Sequence, residues 1–125
     1  MATLFELQNP PFGQLTKTKV IKTENGAHTL TTAEIIEGIV DGTPTGNRAV
    51  TTPTAAAIIS ALGTQGGVGQ TFELTIVNKA TSTHKFTLTA GTGVTIVGDA
   101  DVAAASSGTF LLRVTSSTAV SAFRK

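Results

Sequence analysis

From Thr71 to Val77, apolar Phe72, Leu74 and Ile76 alternate with Thr71, Glu73 and Thr75. The same two-residue period returns where Phe86 and Leu88 sit among Lys85, Thr87 and Thr89, and again where Phe110, Leu112 and Val114 lie between Thr109 and Thr115. A period of two fits a strand with one face on a core and excludes an amphipathic helix over these stretches. Gly91-Thr92-Gly93 reads as a hairpin turn into Val94 to Val97. Gly98 to Asp101 turns the chain again, Ser106-Ser107-Gly108 precedes the Phe110 run, and a last strand covers Thr118 to about Arg124. Short strands at this spacing predict a mainly β fold, a small β-sandwich or Greek-key barrel over residues 69–125. Thr is the commonest residue, which suits strands. Val77, Val97, Leu111 and Val120 alternate onto the side opposite the Phe residues, so a second covered face is expected, under helices or another subunit.

Residues 31–68 predict two short helices and a glycine-rich connector. Thr31 and Glu34 fit a capping box, with Ile35, Ile36, Ile39 and Val40 as the apolar stripe and Asp41-Gly42 as the stop. Thr52-Pro53 fits an N-cap followed by a first-turn proline, and Gly63 fits a left-handed C-terminal cap. Ala55, Ile58, Ile59 and Leu62 form a narrow apolar face between them. Helices this short need a sheet or a neighbouring subunit to pack on. Residues 1–30 read as an extended arm, because Pro10-Pro11 favours extended backbone. Glu24-Asn25-Gly26 is a turn signal, so a short hairpin is expected between Thr18 to Thr23 and His28 to Leu30. Leu4, Phe5, Leu7 and Phe12 are apolar positions on the arm, suited to docking against this domain or a neighbouring protein.

The chain has 125 residues, 40% of them hydrophobic and 14% charged, with a formal net charge of +1. That balance predicts one folded domain and disfavours disorder. With so small a charge and no long run of one sign, binding to nucleic acid or an anionic membrane is not expected. No leader-like pattern and nothing approaching ~18 consecutive apolar residues is present, so a soluble chain is expected. All aromatic residues are Phe, which leaves no Tyr or Trp to stack on sugars or bases. Cys is absent, so disulfides and thiol chemistry are excluded.

The search for catalytic or metal-binding patterns returns little. His28 and His84 have no second His or carboxylate at ligand spacing, and structural roles fit them better. Asp99 and Asp101 resemble the opening of a calcium loop whose later ligands are missing, so a solvated turn is favoured. The segment Gly63 to Gln70 follows a helix and leads into a strand, the reverse of a phosphate-binding loop, and ends in no Gly-Lys-Thr or Gly-Lys-Ser. Ser60, Ser106 and Ser107 lack the Gly-x-Ser-x-Gly context of a serine nucleophile. Arg48, Arg113 and Arg124 are scattered, with ion pairing as their default use. No metal, cofactor or catalytic residue is therefore expected.

Three segments together resemble a β-module of small structural proteins of tailed bacteriophages: Gln70 to Asn78, Thr87 to Gly98, and Ser107 to Val114. Thr52 to Leu62 resembles the short helix that precedes that module, so the likeness covers roughly residues 50–125. Head decoration (cement) proteins are the nearest association. The resemblance implies a non-enzymatic virion protein on the outer capsid surface, binding the major capsid protein as a homotrimer. In that reading Leu4, Phe5, Leu7 and Phe12 contact the coat, and Ile58, Ile59 and Leu62 pack at the trimer axis. A receptor- or glycan-binding fibre tip is the alternative. A more distant one is an enzyme built across subunits from His28, His84, Asp99 and Asp101.

Overall fold

The computed structural model of the protein describes residues 21–24 and 26–125. The arm positions Leu4, Phe5, Leu7 and Phe12 lie outside the described residues.

The described chain is mainly β, with 45% strand and 16% helix in two mixed sheets. One sheet has six strands, in the order β1 (Ile21–Glu24), β3 (Ile39–Gly42), β5 (Thr71–Asn78), β9 (Ser106–Ser116), β10 (Ala119–Arg124) and β7 (Val94–Val97). The other has four, in the order β2 (His28–Thr29), β4 (Arg48–Thr51), β6 (Phe86–Thr89) and β8 (Asp101–Val102). Up to β9, successive strands alternate between the sheets. The ladders β1 with β3, β3 with β5, β2 with β4 and β4 with β6 are parallel, which the crossing to the other sheet between them permits, whereas β6 with β8 is antiparallel.

This topology corrects the hairpin expected around Glu24-Asn25-Gly26. Strand β1 pairs with β3 in one sheet and β2 with β4 in the other, so the turn passes the chain between layers. Gly91-Thr92-Gly93 likewise joins β6 to β7 in different sheets and is no hairpin turn. The β architecture also reaches back beyond residue 69, since β1 to β4 complete both sheets.

Helix α1 (Thr32–Glu37) opens with the expected capping box: the Thr31 hydroxyl accepts from the Glu34 amide, and Glu34 Oε1 accepts from the Thr31 amide. It stops before the expected point. Gly38 is extended, and Ile39–Gly42 becomes β3, held between β1 and β5 with Val40 fully buried. A ladder on both sides satisfies that backbone more completely than one more exposed helical turn would. Helix α2 (Ala55–Leu62) begins two residues later than expected. Thr54, not Thr52, is the N-cap, its hydroxyl accepting from Ala57 N at 3.1 Å. Thr52 is held extended because its amide donates to Thr89 O, which prolongs the β4–β6 ladder. Gly63 closes α2 with a φ of +61°, a conformation that favours glycine.

One apolar cluster draws on both sheets and both helices: Leu74, Ile76, Phe110, Leu112 and Val114 from the larger sheet, Val50, Phe86, Leu88 and Val102 from the smaller, and Ile35 and Ile58 from the helices. Helix α1 packs on β5 and on α2, so the helical faces are covered within the chain. This corrects one expected trimer contact. Ile58 is 0% exposed in the single chain and is not free for an axis, while Ile59 and Leu62 are partly buried against the same core.

Candidate interaction surface

The strands of the larger sheet bring two kinds of side chain to its outer face. In register, Glu73, Leu111, Phe123 and Val97 form one row across β5, β9, β10 and β7. Leu111 and Phe123 are half-buried, and Val97 is 44% exposed. The next row is Thr71, Arg113, Ser121 and Thr95. On the other side, Thr75 and Thr109 join their hydroxyls at 3.1 Å. Lys125 Nζ meets Glu73 Oε2 at 2.6 Å, and Lys79 meets Asp41 at 3.2 Å, so these two acidic groups of the face are paired within the chain. An apolar bar of Leu111, Phe123 and Val97 is left between polar flanks.

Alternation anticipated Val77, Val97 and Leu111 on this face, and Val77 and Leu111 are indeed half-buried there. Val120 was expected with them and is instead 1% exposed in the core. Val120 pairs with Val114 and Phe123 with Leu111, so Val120 and Ala122 face the core and Phe123 lies outside. Phe123 was not singled out from the sequence, although its period-two spacing from Ser121 carries the signal once the phase of β10 is known.

Most of the polar residues considered for chemistry are engaged within the chain. His28 Nε2 lies 2.8 Å from Glu34 Oε1, the carboxylate that also closes the α1 capping box. The backbone carbonyl of His84 accepts from Asn78 Nδ2 at 3.0 Å, a framework role. Asp99 Oδ1 accepts from the Asp101 amide, which makes the expected turn. The Asp101 carboxylate accepts from Lys85 Nζ at 2.6 Å and from Thr87 Oγ1 at 2.7 Å. Arg124 Nη1 donates to the carbonyls of Asp99 and Asp101, and its guanidinium stands 5.4 Å from the Phe110 ring centroid. Arg124 thus ties β10 of the larger sheet to β8 of the smaller. Among the described residues no group of three or more His, Asp or Glu is placed to hold a metal ion, and no helix is long and apolar enough to cross a membrane.

Hydrogen bonds from Lys85 and then Thr87 lower the Asp101 pKa below its usual value. Because the folded-state value is depressed, the stabilisation is present above the unfolded carboxylate range and is lost as pH falls through the folded value. Asp101→Asn should therefore cost about 1 kcal/mol or less at pH 7, as befits a partly exposed ion pair. In urea melts the gap between the two proteins should close below about pH 4. A gap that persists unchanged at pH 2 would contradict the charge as its cause.

Comparison with protein-family models, with curated proteins and with solved structures found no match to this chain.

Proposed function

We propose that this chain is a non-enzymatic structural protein that decorates and stabilises the capsid of a tailed phage, binding the major capsid protein on the outer coat as a homotrimer. The observation that supports the reading most is the outer face of the larger sheet. It presents Leu111, Phe123 and Val97 on a rigid platform whose Glu73 and Asp41 are already paired with Lys125 and Lys79. Such a face, apolar at its middle and polar at its flanks, has the make-up of a protein-binding patch. The two sheets enclosing one core are read as a β-sandwich, and Gln70 to Asn78, Thr87 to Gly98 and Ser107 to Val114 carry the resemblance to phage decoration modules. Leu4, Phe5, Leu7 and Phe12 serve in this reading as the arm that grips the coat. Phe123 and Val97 replace Ile58 as the apolar contact residues, because Ile58 is consumed by the core.

The test is co-sedimentation with purified phage capsids. The full chain should pellet with capsids, and a chain lacking residues 1–12 should lose at least tenfold in affinity, corresponding to about 1.4 kcal/mol or more. Val97→Asp, at an exposed position, should weaken pelleting without altering the thermal midpoint. A full chain that stays in the supernatant with every capsid tried, or binds a glycan surface instead, would overturn the reading.

A further inference from the structure

We infer that β7 is an assembly edge, and that its occupant is the β1 edge of a second copy of this chain, paired in parallel.

Among the described residues, strand β7 is the last strand of the six-stranded sheet, with β10 on one side and no strand on the other. Its sequence is Val94-Thr95-Ile96-Val97, four residues of high β propensity with no charge and no proline. Exposed edges are ordinarily guarded by Lys, Pro, bulges or a covering loop, and β7 carries none of the first two. Val97 is 44% exposed, whereas Ile96 is partly buried against the core, so one face of the strand is anchored and the other is presented. Glycines with positive φ stand at both ends, Gly93 at +83° and Gly98 at +90°, which confines the strand to this length.

Strand directions choose the occupant. β7 runs parallel to β10, β10 antiparallel to β9, β9 antiparallel to β5, and β5 parallel to β3 and β1. Among the described residues the two outermost strands of the sheet therefore point the same way, and both are four residues long. A head-to-tail contact, β7 of one copy beside β1 of the next, continues the sheet in parallel and uses both edges of every copy once a ring closes. Two-fold pairing of β7 with β7 would satisfy one edge per copy and leave both β1 edges as templates for further strands. The continued sheet also extends the Leu111, Phe123 and Val97 bar toward the neighbouring copy. The inference deepens the homotrimer in the reading above and rests on its assembly part alone, so failure to bind capsids would leave it standing.

The chain contains no cysteine, which makes introduced thiols unambiguous reporters. Thr95→Cys and Thr23→Cys variants of the full chain would be prepared separately, mixed, and treated with a short bismaleimide. The expected result is a crosslinked dimer in the mixture and little in either variant alone. Light scattering of the cysteine-free chain should give a mass above that of one chain, and Val97→Lys should lower it toward 12.7 kDa with an unchanged thermal midpoint. Crosslinking of Thr95→Cys with itself would overturn the head-to-tail arrangement in favour of two-fold pairing. A cysteine-free chain of one-chain mass at high concentration, or a Val97→Lys variant of unchanged mass, would overturn the assembly edge itself.

Discussion

Gly91→Ala is expected to lower the stability of the fold by about 3 kcal/mol, at the upper end of what overpacking in a tight site costs. The glycine is required by space and not by an unusual backbone angle, since its φ is not among the positive ones. A Cβ added there would stand 2.5 Å from Pro53 O, 2.6 Å from Thr52 O and 2.9 Å from Pro53 C. All three are backbone atoms and cannot swing aside as a flexible side chain would. The surroundings are tied as well. Thr52 Oγ1 accepts from the Gly91 amide at 2.8 Å, Thr52 N donates to Thr89 O, and Ala55 N donates to Thr92 O. Relief of the clash must separate the α2 entry from the crossing between β6 and β7, which breaks bonds in both sheets' connections. Gly67→Ala is the control, because nothing lies within 4 Å of its added Cβ and its φ is not positive. It should change stability by less than about 0.5 kcal/mol. Urea denaturation of both variants decides the matter, and equal midpoints would show that the crossing tolerates separation.

Asn78→Ala should cost a comparable amount, about 3 to 4 kcal/mol. Asn78 is 1% exposed at the end of β5, yet its side chain makes three hydrogen bonds. Nδ2 donates to His84 O and to Val102 O, each at 3.0 Å, and Oδ1 accepts from the Ala80 amide at 2.9 Å. Those partners belong to the loop after β5 and to β8, so one amide joins the larger sheet to the edge of the smaller. Truncation leaves a buried Ala80 N–H without its acceptor and two carbonyls without this donor, each a desolvated group left unpaired. Asn78→Asp should be no rescue, because a carboxylate cannot donate to either carbonyl. Thermal unfolding and amide hydrogen exchange at Ala80 and Val102 would report the effect. Unchanged protection at Ala80 would show that another acceptor takes over.

Much of the local structure was legible in the residues. Thr31 and Glu34 specify their capping box within four positions, and the alternation at Thr71 to Val77 and at Thr109 to Thr115 is a property of adjacent side chains, so both appear in the fold where they were expected. The apolar outer face was half legible, since Val77, Val97 and Leu111 follow from alternation. Val120 faces the core instead and Phe123 joins the outer face, because the phase of β10 is fixed by its pairing with β9 and not by alternation alone.

Which strands are neighbours was decided only by the tertiary structure. A turn such as Glu24-Asn25-Gly26 states that the chain reverses, and carries no information on whether the next strand joins the same sheet or crosses to the other. Ile39–Gly42 is a strand because β1 and β5 lie on both sides of it, although its sequence continues a helical stripe. Thr52 is extended because Thr89, distant in sequence, accepts from its amide. The residues by themselves determined period, caps and which side chains are apolar, because those depend on near neighbours. Pairing partners, the parallel ladders and the place of β7 at the end of its sheet depend on contacts between residues far apart in the chain, whose free energy exists only when the whole core has closed.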